Sequence, residues 1–252
     1  MLAGQTVFAI NRRDYDAVLL DMDGVITDTA TLHARSWKQM FDTYLCQRAA
    51  RAGEAFHPFD LVRDYRLYVD GKPRSDGIRD FFASRGIRLP DGGLDDPAGA
   101  ETIGGLGNRK NALVSEIIDD AGVKAYPGSV EFITQLRVDG FKTAVVTSSQ
   151  NCAAVLKAVN LDVCFDVRVD GDTILEQRLR GKPAPDTFLV AAELLGVDPR
   201  RAIVIEDAIS GIQAGFNGNF GLVIGVARKG DAAELRRYGA DLVVKDLVEL
   251  LA

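Results

Sequence analysis

Apolar and polar positions alternate along the chain in two rhythms. Five short runs, 17–21, 143–147, 202–205, 222–226 and 241–244, are rich in Val, Ile and Leu with little alternation. That pattern belongs to strands of a parallel sheet buried on both faces. Between them the spacing turns helical. Residues 129–139 set Val130, Ile133 and Leu136 on one stripe ahead of Gly140. Asp186 reads as the N-cap of a helix carrying Phe188, Leu189, Ala192 and Leu195, ending near Gly196. Strands alternating with helices predict an α/β fold with a doubly wound parallel sheet, whose ligands sit at the carboxyl ends of the strands.

The stretch between the first two strands is too long for one crossover. Its opening helix places Trp37, Met40, Phe41, Tyr44 and Leu45 at spacings of three and four. A second helical piece covers 77–84, residues 86–107 hold seven glycines with Pro90 and Pro97 and read as loop, and 109–121 resumes a helical pattern. Residues 31–123 are therefore expected to form a mostly helical domain inserted into a core built from 1–30 and 124–252.

Composition narrows the setting. With 252 residues, 47% hydrophobic and 26% charged, the chain has the make-up of a globular protein with a substantial core. The net charge of −6, with no basic run longer than an Arg pair, argues against nucleic acid as partner. No apolar run approaches the ~18 residues of a membrane helix, and the first residues lack the pattern of a signal peptide. Cys46, Cys152 and Cys164 are odd in number and have no Cys-x-x-Cys spacing, so a reducing cytoplasm is expected, with neither a disulfide framework nor a zinc site. Two histidines exclude a histidine-rich metal centre.

Four segments carry candidate chemistry. Asp21-Met22-Asp23-Gly24 closes the first strand, and residues two apart on an extended chain face one way, roughly 6–7 Å between Cα atoms. Such carboxylates can flank a phosphoryl group, one attacking and one handling a proton, or they can cap a turn. Glu206-Asp207 directly follows another buried strand, where adjacent acids call for a compensating Mg²⁺; the alternative is N-capping of a helix over 210–214. Thr147-Ser148-Ser149-Gln150-Asn151 is a polar strand end opening a helix, suited to cradle a phosphate. Gly181-Lys182-Pro183-Ala184-Pro185-Asp186 presents Lys182 from a proline-stiffened loop, although a lone lysine is usually solvated.

Their joint order, together with Asp21–Lys38, Gly181–Phe188 and Glu206–Ala214, resembles the haloacid dehalogenase superfamily and, within it, the β-phosphoglucomutase-like subfamily. The resemblance runs from about residue 16 onward. It implies a Rossmann-like core with an inserted helical cap at 31–123, and the following roles. Asp21 is the nucleophile that becomes an aspartyl phosphate, and Asp23 the general acid and base. Mg²⁺ is bound by Asp21, Asp23 (through its carbonyl), Asp207 and Glu206. Thr147, Ser148 and Lys182 hold the transferring phosphate. In the cap, Arg74 resembles the distal-phosphate arginine and Lys110 the substrate-contacting lysine, with Ser149 and Asn151 aligned to the core side of that subsite. Thr29, His33 and Trp37 follow the mutase-like stretch. Packing competes with these roles for three of them: Trp37 as core, His33 as a packed helix histidine and Arg74 as a surface arginine.

The implied activity is a monomeric, Mg²⁺-dependent mutase acting on a small sugar phosphate. It interconverts β-glucose 1-phosphate and glucose 6-phosphate through a glucose bisphosphate. A sugar-phosphate phosphatase of the same fold is the alternative, and a noncatalytic phosphate-binding module the third reading. Three features depart from the family pattern: Gln150 in place of a lysine, Ala208 in place of a serine, and the additions at 86–107 and in the first dozen residues.

Overall fold

The computed structural model describes residues 10–228 and 232–251; the start of the chain, read above for targeting signals, lies outside them up to residue 9. The chain divides into two compact units, one from residues up to 28 together with 124–252, the other from 29–123.

The first unit is built on six parallel strands, β1 (Ala17–Leu20), β2 (Lys142–Val146), β3 (Val167–Val169), β4 (Ala202–Glu206), β5 (Leu222–Val226) and β6 (Leu242–Val244). Their order in the sheet is β3-β2-β1-β4-β5-β6. The doubly wound α/β architecture expected from the alternation is thus present, and the strand order reverses between β1 and β4, where such sheets open a crevice. β1, β4 and β5 are buried along their whole length, which explains their unbroken apolar sequence. The flanking helices are α4 (Pro127–Val138), α5 (Cys152–Ala158), α6 (Gly171–Glu176), α7 (Asp186–Leu195), α8 (Ile209–Asn217) and α9 (Ala232–Arg237). α7 packs Phe188, Ala191, Ala192 and Leu195 into one core with Leu19, Ala144, Val146 and Val204.

Two expectations need correction here. Five strands were expected and six are found; β3 has only three residues with exposed Arg168 at its centre, and it pairs with β2 alone. Asp186 is not the N-cap of α7. Pro185 holds that place without a side-chain cap, and Asp186 instead accepts from the Arg180 N–H, Nε and Nη2 at 3.2, 3.0 and 2.8 Å, clipping the loop that carries Lys182.

The second unit holds α1 (Ala30–Ala52), α2 (Arg74–Ser84) and α3 (Ile103–Ala121), with one π-helical turn at Tyr65–Val69. The α1 stripe is buried: the Phe41 ring lies 4.3 Å from Phe81 and 5.0 Å from Phe59, centre to centre. α3 begins six residues earlier than its pattern suggested, so Gly104, Gly105 and Gly107 are helical rather than loop. Their small size serves close approach. A Cβ on Gly104 would lie 2.1 Å from the Gly93 carbonyl oxygen, and one on Gly105 2.6 Å from that of Ala100. Among the described residues no helix is long and apolar enough to cross a membrane.

Asp64, 2% exposed, ties this unit together by accepting from Arg63 Nε at 3.0 Å, Arg85 Nη2 at 2.9 Å and the Asp60 N–H at 3.1 Å. Burial raises its carboxyl, but these donors outweigh that and hold it below the usual carboxylate range. A lowered native pKa means that the stabilisation is complete above about pH 4 and is lost as pH falls through the lowered value. Asp64→Asn is expected to cost about 1–3 kcal/mol in denaturant unfolding at neutral pH. The difference from the parent should shrink in acid; a pH-independent difference would contradict the ion-pair account.

Candidate active site

The ends of β1, β2 and β4 lie side by side, and each delivers a polar group to the same point. Asp21 follows β1, Glu206 is the last residue of β4, and Val146 ends β2 with its carbonyl. Lys182 reaches this point from the clipped loop. Its Nζ donates to Asp21 Oδ1 and to Glu206 Oε1, both at 2.6 Å, and to the Val146 carbonyl at 3.0 Å. All three ammonium protons are thereby used. Lys182 is 2% exposed, Asp21 5% and Glu206 0%, so this is a buried ion triad and not a solvated surface lysine.

The remaining groups surround it. Glu206 Oε2 accepts the N–H groups of Asp207 and Ala208 at 3.0 and 2.9 Å. The N-cap residue of α8 is Ala208, which offers no side-chain cap, and Glu206 gives its Oε2 to the backbone ahead of the helix. Ala208 is 2% exposed. The alternative reading, turn-capping by the aspartates, does not describe Asp21, whose Oδ1 accepts from Lys182 Nζ. Thr147 Oγ1 donates to Asp23 Oδ2 at 3.4 Å and accepts the Ser149 N–H at 3.2 Å. Ser149 Oγ accepts the Asn151 N–H at 3.2 Å, so the turn carrying Ser148 is held by its own hydroxyls. Gln150 turns toward Asp172, donating to its Oδ1 at 2.5 Å.

Two glycines let the carboxylates come this close. Gly24 has φ +92°, and a Cβ there would lie 1.9 Å from Asp207 Oδ2; one on Gly211 would lie 1.8 Å from Glu206 Oε1. Oxygens of Asp21, Glu206 and Asp207 all lie within 4.8 Å of one another. These are hard carboxylate donors of the kind that hold a divalent cation such as Mg²⁺. Burial holds the Asp21 carboxyl well above the usual carboxylate range; Lys182 opposes this, while Glu206 and Asp23 add to it. For Lys182 burial works against the charge, but Asp21 and Glu206 outweigh it and keep the ammonium protonated beyond the ordinary lysine range.

Sequence reasoning missed Arg228, just after β5. Its Nε donates to the Gly24 carbonyl at 3.2 Å, and its Nη2 to the Val25 carbonyl at 3.3 Å and to Ser129 Oγ at 2.8 Å. Its Nη1 bonds Asp246, and the guanidinium lies 3.7 Å from the Tyr126 ring centre. It thus fastens the backbone that leaves Asp23. The available signal was its place at the carboxyl end of an apolar strand.

In the helical unit, three of the five remaining expected residues, Lys110, His33 and Trp37, come together. Lys110 Nζ lies 2.9 Å from His33 Nδ1 and 5.0 Å from the centre of the Trp37 ring. Trp37 itself is 3% exposed and stacks on Phe41, so packing accounts for it. Thr29 is buried at the start of α1, its carbonyl accepting the His33 N–H at 3.0 Å. Arg74 Nη2 donates to Asn108 Oδ1 at 3.1 Å.

Comparison with known proteins accords with this geometry. The profile of the haloacid dehalogenase-like hydrolases matches residues 15–219. The chain belongs to the haloacid dehalogenase-like hydrolase family. It is 53% identical to the β-phosphoglucomutase of Mycobacterium tuberculosis over 93% of this chain and 91% of the relative. It is 30% identical to that of Bacillus subtilis over 93% and 91% of the two chains. The crystal structure of β-phosphoglucomutase from Clostridium difficile shares the fold, with a TM-score of 0.73 at 24% identity, covering 94% of this chain and 93% of that one. This member of the haloacid dehalogenase-like family is accordingly an enzyme, either mutase or phosphatase.

Removing the ammonium leaves two buried carboxylates facing each other. Lys182→Met is therefore expected to destabilise the α/β unit by about 3–5 kcal/mol, read from the denaturant midpoint. Unchanged stability would contradict the triad.

Proposed function

We propose that the protein is a Mg²⁺-dependent β-phosphoglucomutase, interconverting β-glucose 1-phosphate and glucose 6-phosphate through glucose 1,6-bisphosphate. The observation that supports it most is the convergence of Asp21, Lys182 and Glu206 on one point. It occurs in a chain that is 53% identical to a mutase over 93% of its length. Asp21 attacks the phosphorus of the bisphosphate, the P–O bond to the sugar breaks, and Asp23 gives its proton to the departing oxygen. In the second half, with glucose 6-phosphate gone, a molecule of β-glucose 1-phosphate loses its 6-hydroxyl proton to Asp23 and takes the phosphoryl group from Asp21, which regenerates the bisphosphate. Thr147, bonded to the Asp23 carboxylate, orients that group.

Lys182, Thr147 and Ser148 bear the charge of the phosphoryl oxygens. Asp21, Glu206, Asp207 and the Asp23 carbonyl would hold Mg²⁺, which supplies charge neutralisation to the phosphoryl group. Arg74, with Ser149 and Asn151, takes the phosphate that is not being transferred. Lys110, held by His33 and Trp37, contacts the sugar phosphate.

A phosphatase is the second reading, in which water takes the phosphoryl group from Asp21. Gln150 favours it, since a neutral amide engaged with Asp172 brings no positive charge to a second phosphate.

The test supplies β-glucose 1-phosphate, Mg²⁺ and a trace of bisphosphate, and follows glucose 6-phosphate and inorganic phosphate together. Glucose 6-phosphate is expected to dominate; phosphate release outrunning it would replace the mutase by the phosphatase. Neither product, from folded protein, would favour a binding module. Asp21→Ala and removal of Mg²⁺ by chelation should each abolish transfer. Asp23→Asn should slow it by about 10²–10⁴-fold, an effect readable in single-turnover phosphoenzyme formation.

A further inference from the structure

The connection from α2 to α3 runs from residue 85 to 102, longer than the ~12–15 residues beyond which a loop without secondary structure usually has a task of its own. It is fastened at several points. At its start, Asp91 Oδ1 accepts from Arg79 Nε and Nη2 on α2 at 3.0 and 2.8 Å. At its end, Thr102 Oγ1 donates to Asp96 Oδ2 at 2.5 Å and caps α3 by accepting the Gly105 N–H at 3.0 Å. The glycines allow this closeness: on Gly92, with φ +67°, a Cβ would lie 2.0 Å from Asp96 Oδ2.

So fastened, the loop turns two carbonyls onto one side chain. Asn108 Nδ2 donates to the Leu94 carbonyl at 2.7 Å and to the Asp96 carbonyl at 2.9 Å. Both amide protons are on carbonyls, and Oδ1 accepts from Arg74 Nη2 at 3.1 Å. A flipped amide would set NH₂ against guanidinium and oxygen against two carbonyls, so the loop fixes the orientation. The stem of Arg74 lies along Gly107, where a Cβ would be 3.3 Å from Nε. Asn108 is a neutral acceptor, so this contact orients the guanidinium without cancelling its charge, as a carboxylate would.

We propose that Asn108, held by the glycine-rich loop, is the positioning residue that aims Arg74 at the non-transferring phosphate of the sugar bisphosphate, and so selects doubly charged substrates over simple phosphate esters. This rests on the phosphate role of Arg74 given above.

The test compares Asn108→Ala, Arg74→Ala and the double variant of the full-length enzyme with Mg²⁺. KM for glucose 1,6-bisphosphate as phosphoryl donor is measured beside turnover of acetyl phosphate, which carries one phosphoryl group only. Asn108→Ala should raise that KM about tenfold, the worth of one hydrogen bond to a charged group, and exceed by that factor any change with acetyl phosphate. The double variant should match Arg74→Ala alone, because one residue acts through the other. Equal losses on both donors, or additive effects in the double variant, would overturn the proposal, as would a silent Asn108→Ala beside an impaired Arg74→Ala. If Arg74→Ala leaves the bisphosphate KM unmoved, the distal-phosphate role itself fails, a result distinct from the others. Asn108→Ser, checked by its melting temperature, replaces the alanine variant if that one does not fold.

Discussion

The structure of the α/β unit depends on one ammonium group. Three ionisable side chains are withdrawn from water at Lys182, Asp21 and Glu206, and charge there carries a desolvation cost of several kcal/mol that only close mutual contact offsets. Contact of that quality requires three strands in the order β2-β1-β4, because the three Nζ protons go to one group from each. Without β4 beside β1 the ammonium would lose a carboxylate, and without β2 it would lose its carbonyl acceptor. The Arg180–Asp186 clip and the Phe188 ring, its centre 4.9 Å from Nζ, fix the approach of Lys182 from the opposite side. Fold and site are here a single constraint: the reversal point of the sheet is where the charges must meet.

Much of this was legible in the sequence, for reasons that can be stated. Apolar runs without alternation mark strands buried on both faces, and the strands found that way are those with strong signals. β3 escaped because it is short, lies at the edge and carries a polar centre, so burial imposes little on its composition. The acids at the ends of β1 and β4 were conspicuous because charge at a buried strand end demands a partner. The joint order of the motifs then identified the family, which their separate occurrence did not.

Other features are not written in any local pattern. Nothing about Arg228 or Asn108 as residue types marks them; their significance comes from carbonyl groups that folding turns toward them. The glycines at 104, 105 and 107 misled because glycine is ambiguous. It breaks helices by its backbone freedom, yet inside a helix it also admits a neighbouring backbone that any Cβ would exclude, and here the second use prevails. Asp186 illustrates a related ambiguity: an aspartate before a helix can cap it or grip the loop upstream, and only the position of Arg180 decides.

The two units place their charges on opposite principles. In the helical unit Asp64 is answered by two arginines, Arg63 and Arg85, and that balance serves stability. At the strand ends Asp21, Glu206 and Asp207 gather closely, and glycine at 24 and 211 is the condition for crowding them so. A chain selected for stability alone would have no reason to assemble that excess, since like charges at short range oppose folding. On the proposed reading the crowding has a use, since a divalent cation and a phosphoryl group would be received there together. Stability given up at the ends of β1 and β4 is, on this argument, the measure of what the site gains when its ligands bind.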